Sequence, residues 1–161
     1  MSGSFLKKVY SEVPMEDSNS RFIKKLLACR AVVGYQPLED EPNLVPASTS
    51  PIRFTVLRDK FTDPVETAKK VLGMFPETNV CLYIPGTAFD KHGTRHGRGG
   101  GWYDRFLSSV PSNWMRVGLC HKNNFSHNPL KREVWDQPVD WVGVQRANRI
   151  DYYETKARIN I

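Results

Sequence analysis

The residues best suited to chemistry lie between positions 95 and 101, where two arginines alternate with four glycines. They are Arg95, Gly97, Arg98, Gly99, Gly100 and Gly101. Clustered glycines adopt positive φ without a Cβ penalty and let backbone N–H groups come close to a ligand. Guanidinium groups form paired, charge-assisted hydrogen bonds with phosphate oxygens. This combination predicts a loop that binds a phosphate chain.

The segments on either side of this loop indicate how it is held. Before it, the short apolar run 80–84 (VCLYI) is typical of a buried strand. After it, aromatic and aliphatic residues recur four positions apart between Trp102 and Leu107, which predicts a helix. The first turn of a helix has unpaired N–H groups and lies at the positive end of the dipole. The loop and the start of the helix therefore favour the same anionic ligand.

Two alternative interpretations of this stretch are weaker. A mobile glycine linker is the main one, although this stretch stands between regular elements and carries arginines and aromatic residues. A Walker-type P-loop is excluded, because no Gly-Lys-Ser or Gly-Lys-Thr follows the glycines.

The four histidines do not have the spacing of metal ligands, and none is assigned to a metal. Within the loop, His96 either senses a bound nucleotide or is an ordinary surface residue.

The stretch from 85 to 105 resembles the signature of the 5-formyltetrahydrofolate cyclo-ligase family, whose enzymes are also called methenyltetrahydrofolate synthetases. The pattern is P-G-x-A-F-D-x-x-G-x-R-x-G-x-G-G-G-x-Y-D-R, and this chain has each of its specified residues. Two positions depart from the family, with His96 where Leu is usual and Trp102 where Tyr is usual. The resemblance extends to 117–119 (VGL) and to 133–140 (EVWDQPVD).

This resemblance implies a site for ATP and Mg²⁺. Its ATP- and phosphate-binding residues would be Arg95, Gly97, Arg98, Gly99, Gly100, Gly101, Trp102 and Tyr103. Asp104, in the first helical turn behind the glycines, is well placed for Mg²⁺, and the resemblance implies Asp136 as the second carboxylate. Without the resemblance, Asp104 would only complement the helix dipole, and Asp136 would be a turn residue near a proline.

A second segment is implied to bind the folate. The predicted strand 31–35 ends in Tyr35, and Glu41 follows in Glu-Pro-Asn-Leu, which is similar to the family's Glu-Pro-Asp-Leu. By this resemblance Glu41 contacts the pterin or formyl end, and Tyr35 and Tyr103 pack on the pterin or the adenine. The alternative for Glu41 is a solvated glutamate in an acidic turn. No residue is assigned as a general base.

The implied activity is the ATP- and Mg²⁺-dependent cyclisation of 5-formyltetrahydrofolate, with or without a polyglutamate tail, to 5,10-methenyltetrahydrofolate, with release of ADP and phosphate. A second hypothesis stays open. The family's early Lys-x-x-Leu-Arg motif is at most a remnant at 6–10, and its Gly-x-x-Glu-Pro segment before the signature strand is absent. Under this hypothesis the chain is a non-catalytic subunit or assembly factor of a larger complex, with nucleic acid or a ribonucleoprotein as partner.

Helices and strands are predicted to alternate along the chain. The first predicted helix starts with the capping cluster Ser18, Asn19 and Ser20 and ends near Arg30. The second is 64–74, with Asp63 as N-cap and Pro64 at its first position, and the third follows the glycines. The strands are 31–35, 52–57, 80–84, 115–120, 141–144 and a stretch around Ile150, with a loop at 46–51. This order predicts an α/β fold with a mostly parallel sheet. The resemblance adds helices on both faces, in a cyclo-ligase or NagB-like three-layer arrangement, with an irregular arm at 1–17 and a single domain at 18–161.

Composition limits the partners and the compartment. The net charge of +6 suits an anionic partner, but basic residues are interleaved with acidic ones and form no block of five, which weakens the expectation of nucleic-acid binding. No apolar run approaches the ~18 residues of a membrane span, and no secretory signal is recognisable. The three cysteines lie in or beside apolar runs. Buried free thiols in a reducing compartment, the cytoplasm or the mitochondrial matrix, are therefore expected.

Overall fold

The structure is a computed structural model of the chain. It describes residues 17–42, 53–57, 62–76 and 78–158, with the backbone alone at 53–57. The arm predicted at 1–17 lies outside these ranges apart from Asp17, and so does the loop predicted at 46–51. The division into that arm and a domain over 18–161 therefore stays a prediction.

The regular elements follow the predicted alternation. In chain order the described strands are β1 (Ala31–Tyr35), β2 (Arg53–Leu57), β3 (Val80–Pro85), β4 (Ala88–Asp90), β5 (Arg95–His96), β6 (Met115–His121), β7 (Phe125–Ser126), β8 (Trp141–Gln145) and β9 (Ile150–Glu154). The helices are α1 (Ser18–Leu27), α2 (Pro64–Met74) and α3 (Trp102–Ser108), and a 3₁₀-helix spans Lys122–Asn124. Strands β4, β5 and β7 have no counterpart in the prediction, because two or three residues are too few to show a periodic pattern. None of the helices in the described ranges is long and apolar enough to cross a membrane.

The main sheet has six strands in the order β2-β1-β3-β6-β8-β9. The first five run parallel, and β9 pairs antiparallel with β8. From β1 the chain moves outward to β2 and then returns to the other side of β1 with β3. The order of the strands therefore reverses between β1 and β3, and such a reversal opens a crevice at the carboxyl ends of the strands.

Helices cover both faces of this sheet. Along β3, Val80, Leu82 and Ile84 belong to the core formed with α2 and α3, whereas Cys81 and Tyr83 belong to the core formed with α1. Because side chains of a strand alternate between faces, this division places α1 opposite the other two helices. The predicted three-layer α/β arrangement is confirmed. The three cysteines are buried free thiols, and burial raises the pKa of Cys29 to about 11.

The capping prediction is correct for α2 and wrong for α1. The carboxylate of Asp63 accepts the N–H of Val65 at 2.8 Å, and Pro64 is the first residue of α2. At α1 the N-cap is Asp17, which accepts the N–H of Ser20 at 2.7 Å. Asn19 instead binds β9, where its Oδ1 accepts the N–H of Tyr152 at 2.7 Å. Helix α1 also ends at Leu27, before the predicted end near residue 30.

A second, three-stranded sheet carries the approach to the glycine loop, in the order β5-β4-β7. Its central strand is tied down at Asp90, whose side chain is buried and accepts the N–H groups of His92, Thr94 and Leu130 at 2.8–3.0 Å. Phe89 of the same strand is fully buried against Gly118 of β6. The loop that follows therefore leaves from a fixed base.

Two glycine substitutions are expected to change stability in opposite directions. A Cβ at Gly118 would lie 2.2 Å from Cε1 of the buried Phe89 ring, so Gly118→Ala should lower the free energy of unfolding by about 1–3 kcal/mol. Gly73 lies inside α2, and a methyl group there would meet nothing within 4 Å, so Gly73→Ala should raise it by about 0.5–1 kcal/mol. Urea denaturation of both variants tests this pair. Equal shifts would contradict the close contact at Gly118.

Candidate functional site

A cleft of about 490 Å³ opens at the carboxyl ends of β1 and β3, where the order of the strands reverses. The segment after β3 leads into the glycine loop, and the segment after β1 carries Glu41. The predicted site residues that line it are Glu41, Arg95, Gly97, Arg98, Gly99, Gly100, Gly101, Trp102, Tyr103, Asp104 and Asp136. The topology thus brings together residues from three separate stretches of the sequence.

The glycine loop has a backbone that other residues adopt only with strain. Gly99, Gly100 and Gly101 have φ values of +93°, +82° and +66°, and a methyl group at any of them would meet no neighbouring atom within 4 Å. Glycine is therefore required at these positions for its conformational freedom and not for lack of space. Gly101 is also the N-cap of α3 and provides no side chain to its first turn. The N–H groups of that turn have no intrahelical acceptor and border the cleft.

Arg95 lies at the centre of the charged groups. Its Nε donates to the carbonyl of Pro85 at 2.6 Å, and its guanidinium lies over the ring of Tyr103 at 4.9 Å. A Cβ at Gly97 would lie 2.9 Å from both terminal nitrogens of this guanidinium, so a side chain at 97 would displace it. Burial lowers the pKa of Arg95, whereas Asp104, Tyr103, Glu41 and Asp136 act to raise it. The predicted phosphate-binding and acidic residues therefore share one electrostatic environment.

Arg98 is held by an acidic neighbour. Its Nη2 donates to both carboxylate oxygens of Asp40, at 2.6 and 2.7 Å, and lies 3.9 Å from Oε2 of Glu41. The hydrogen bond from Arg98 lowers the pKa of Asp40. This ion pair joins the glycine loop to the segment that follows β1, and a phosphate bound by Arg98 would compete with Asp40.

Glu41 is buried, and the alternative of a solvated glutamate is wrong. The residue is 7% exposed, and its Oε1 accepts the N–H of Leu38 at 2.8 Å. Tyr35 is buried as well and does not line the cleft. Its hydroxyl donates to the carbonyl of Pro42 at 3.2 Å, which anchors the turn carrying Glu41. A direct contact between Tyr35 and a ligand stays a prediction that this placement does not favour.

The two carboxylates predicted for Mg²⁺ belong to neighbouring segments. Oδ1 of Asp104 accepts the N–H of Gln137 at 3.0 Å, and Oδ2 of Asp136 accepts the N–H of Glu133 at 2.8 Å. Among the described residues, no group of three or more His, Cys, Asp or Glu side chains is suited to hold a metal. Two carboxylates with phosphate and water oxygens are the usual donor set for Mg²⁺, and the residues of this cleft fit that set. Their role as ligands stays a prediction.

Some residues of the cleft were not assigned to the site from the sequence. Trp135 borders the cleft although it is 67% exposed, and Thr87 supports the loop by donating its hydroxyl to the carbonyl of His96 at 3.1 Å. The ring of His96 itself lies 2.8 Å from the carbonyl of Lys131. A tryptophan directly before the matched Asp136 was an available signal. The contact between His96 and Lys131 joins residues 35 positions apart, and no local pattern in the sequence indicates it.

Fold and cleft together define an α/β protein with a candidate ligand site at the switch point of a mostly parallel sheet. The model of the 5-formyltetrahydrofolate cyclo-ligase family matches residues 9–145, and the chain belongs to that family. It is 27% identical over 140 residues to a probable 5-formyltetrahydrofolate cyclo-ligase of Schizosaccharomyces pombe, covering 80% of this chain and 63% of that protein. It is 32% identical over 62 residues to a 5-formyltetrahydrofolate cyclo-ligase of Mycoplasma genitalium, covering 38% of this chain and 36% of that protein.

Solved structures show a similar fold. A 5,10-methenyltetrahydrofolate synthetase from Mycoplasma pneumoniae aligns with a TM-score of 0.56 over 76% of this chain and 77% of that one, at 18% identity. The similarity supports the mostly parallel sheet with its small second sheet. The chain spans less than two thirds of the length of the S. pombe and M. genitalium relatives.

Proposed function

We propose that this chain binds ATP with Mg²⁺ and cyclises 5-formyltetrahydrofolate to 5,10-methenyltetrahydrofolate, releasing ADP and phosphate. The observation that carries the proposal is the convergence, in one cleft of a cyclo-ligase family member, of the glycine loop, Arg95, Glu41 and two carboxylates. The names of the S. pombe and M. genitalium relatives as cyclo-ligases support the same activity for this chain.

In the proposed reaction the formyl oxygen attacks the γ-phosphorus of ATP and ADP leaves. The neighbouring N10 amine then attacks the formyl carbon, loses its proton and closes the ring, and phosphate leaves with the former formyl oxygen. The protein contributes mainly position and charge. The amides of the glycine loop and of the first turn of α3 would bind the phosphate oxygens, with Arg95 beside them. Glu41, held by Leu38, would orient the pterin.

Magnesium would be held by Asp104 and Asp136, and when bound it neutralises phosphate charge and orients the transferred group. Asp104 and Asp136 border the same cleft, which supports a shared role. The segment containing Asp136 is fixed to α3 by the hydrogen bond between Gln137 and Asp104.

The test is direct. Purified protein is mixed with 5-formyltetrahydrofolate, ATP and Mg²⁺, and the absorbance of the methenyl product is followed. The expected result is product formation that requires both ATP and the metal. Reactions without ATP and without Mg²⁺ are the controls. No ATP-dependent absorbance at high enzyme concentration, with the protein shown to be folded, would overturn the proposed activity.

A non-catalytic role is the second candidate. The features that favour it are the net charge of +6, the missing Gly-x-x-Glu-Pro segment and the ion pair between Arg98 and Asp40. In this ion pair Asp40 occupies a residue that was predicted to bind phosphate. Under this alternative the chain is a subunit or assembly factor of a ribonucleoprotein. Migration of the native protein in a high-mass complex that nuclease treatment dissolves would support it, whereas migration as a small species together with product formation would support the enzyme.

The role of Arg98 can be tested through its present partner. Asp40→Asn removes the negative charge that competes with phosphate, and we expect ATP to bind roughly two- to fivefold more tightly because the surface ion pair is weak. Calorimetric titration with ATP measures the change. Glu66→Gln is the matched control, since it breaks an exposed ion pair with Lys69 on α2, away from the cleft. Equal or weaker ATP binding by Asp40→Asn would mean that Arg98 does not bind the phosphates.

A further inference from the structure

Arg116 is a buried arginine that contacts α3 and the segment containing Gln137. Arg116 of β6 is 3% exposed, and its guanidinium makes no ion pair with a carboxylate among those the structure describes. Burial lowers the pKa of Arg116 to about 10, with the charge of Arg158 acting in the same direction and the charges of Asp140 and Asp104 acting against it. Its Nε is buried without a hydrogen-bond partner. Burying such a group has a free-energy cost that an apolar residue would avoid.

The acceptors of Arg116 join two elements of the cleft. Its Nη2 donates to the carbonyl of Leu107 in α3 at 3.2 Å. Its Nη1 donates to Oε1 of Gln137 at 3.1 Å and to the carbonyl of Pro138 at 3.2 Å. The side chain of Arg116 therefore connects α3, which contains Asp104, with the segment that contains Asp136.

Gln137 transmits this restraint to the carboxylates. Its side chain accepts from Arg116, its backbone N–H donates to Oδ1 of Asp104 at 3.0 Å, and it directly follows Asp136. A shift of Gln137 would change the orientation of Asp104 and move Asp136 at the same time. Magnesium requires near-octahedral geometry, so its affinity is sensitive to such shifts.

We propose that Arg116 is a positioning residue that acts through Gln137 to set the arrangement of Asp104 and Asp136 for a divalent cation bound with nucleotide. This inference rests on the proposed function. The link predicts that removal of either member weakens cation binding in the nucleotide complex. Affinity for nucleotide alone should change little, because neither Arg116 nor Gln137 belongs to the glycine loop.

The experiment measures Mn²⁺ binding by electron paramagnetic resonance, with and without saturating ADP. Gln137→Ala removes the acceptor of Arg116, and Arg116→Lys removes the forked donor. Both should lower Mn²⁺ affinity in the ADP complex roughly tenfold, as outer-shell changes at metal sites do. Gln137→Glu keeps an oxygen within reach of Arg116 and should bind Mn²⁺ within about threefold of the wild type. Metal-free ADP affinity should stay within about twofold in all three variants.

A half-buried arginine that does not interact with Arg116 provides the structural control. Arg146 pairs with Asp151 at 2.6 Å and donates to the hydroxyl of Tyr153, away from the cleft, so Arg146→Gln should lower the melting temperature without changing Mn²⁺ affinity. Unchanged Mn²⁺ affinity in Gln137→Ala would overturn the positioning role, even if Arg116→Lys fails to fold. Failure of the wild type to bind Mn²⁺ with ADP would overturn the proposed function itself, and the two results are distinguishable.

Discussion

Replacing Asp104 by Asn is expected to lower kcat/KM for Mg²⁺-ATP by about a hundredfold or more, because the carboxylate that we propose as a ligand of the cation becomes a neutral amide. The fold should be retained. Asn keeps an Oδ1 that can accept the N–H of Gln137, the bond that Asp104 makes at 3.0 Å. Steady-state rates at several Mg²⁺ concentrations measure the effect, and saturation should move to higher Mg²⁺.

The matched control for this substitution is Asp151→Asn. Asp151 lies on β9, where it pairs with Arg146 at 2.6 Å and with Arg149 at 3.2 Å, and it does not border the cleft. The control should leave the Mg²⁺ dependence unchanged. If Asp104→Asn turns over at the wild-type rate with the same Mg²⁺ dependence, Asp104 is not a ligand of the cation.

The elements of the fold were largely predictable because their signals are local. The adjacent residues Asp63 and Pro64 mark the start of α2, and the apolar run 80–84 identifies β3. The order of the strands was not predictable, since it depends on contacts between distant segments. The capping error at α1 has the same origin. Asn19 is a good N-cap by residue type, but β9 binds its side chain, and Asp17 takes the cap.

The site divides in the same way. Glycines and arginines within seven positions identify the loop from residue types alone, and the structure adds the positive φ at Gly99, Gly100 and Gly101. The engagement of Arg98 by Asp40, 58 positions earlier, and of Gln137 by Arg116 depends on tertiary contacts that no local pattern shows. Glu41 illustrates the limit most clearly. Its sequence context is acidic and turn-like, yet the bond between Tyr35 and Pro42 and the N–H of Leu38 hold it in a buried position.

Arg95→Gln is expected to shift the affinities for the two proposed ligands in opposite directions. ATP should bind about tenfold to a hundredfold more weakly, because a charge-assisted donor beside the glycine loop is lost. Divalent cation without nucleotide should bind a few times more tightly, since Arg95 is the cationic group that interacts with Asp104, Glu41 and Asp136 together. Calorimetric titration with ATP, and Mn²⁺ titration followed by electron paramagnetic resonance, measure the two effects.

Arg149→Gln removes the same charge from an exposed side chain that does not border the cleft and is the matched control. It should change neither affinity by more than about twofold, since the interaction of exposed charges is screened by solvent. The opposite shifts separate a specific role of Arg95 from general loss of the fold, because unfolding would weaken both ligands together. Parallel weakening of ATP and Mn²⁺ in Arg95→Gln would mean that Arg95 only supports the structure, through its hydrogen bond to Pro85 and its contact with Tyr103.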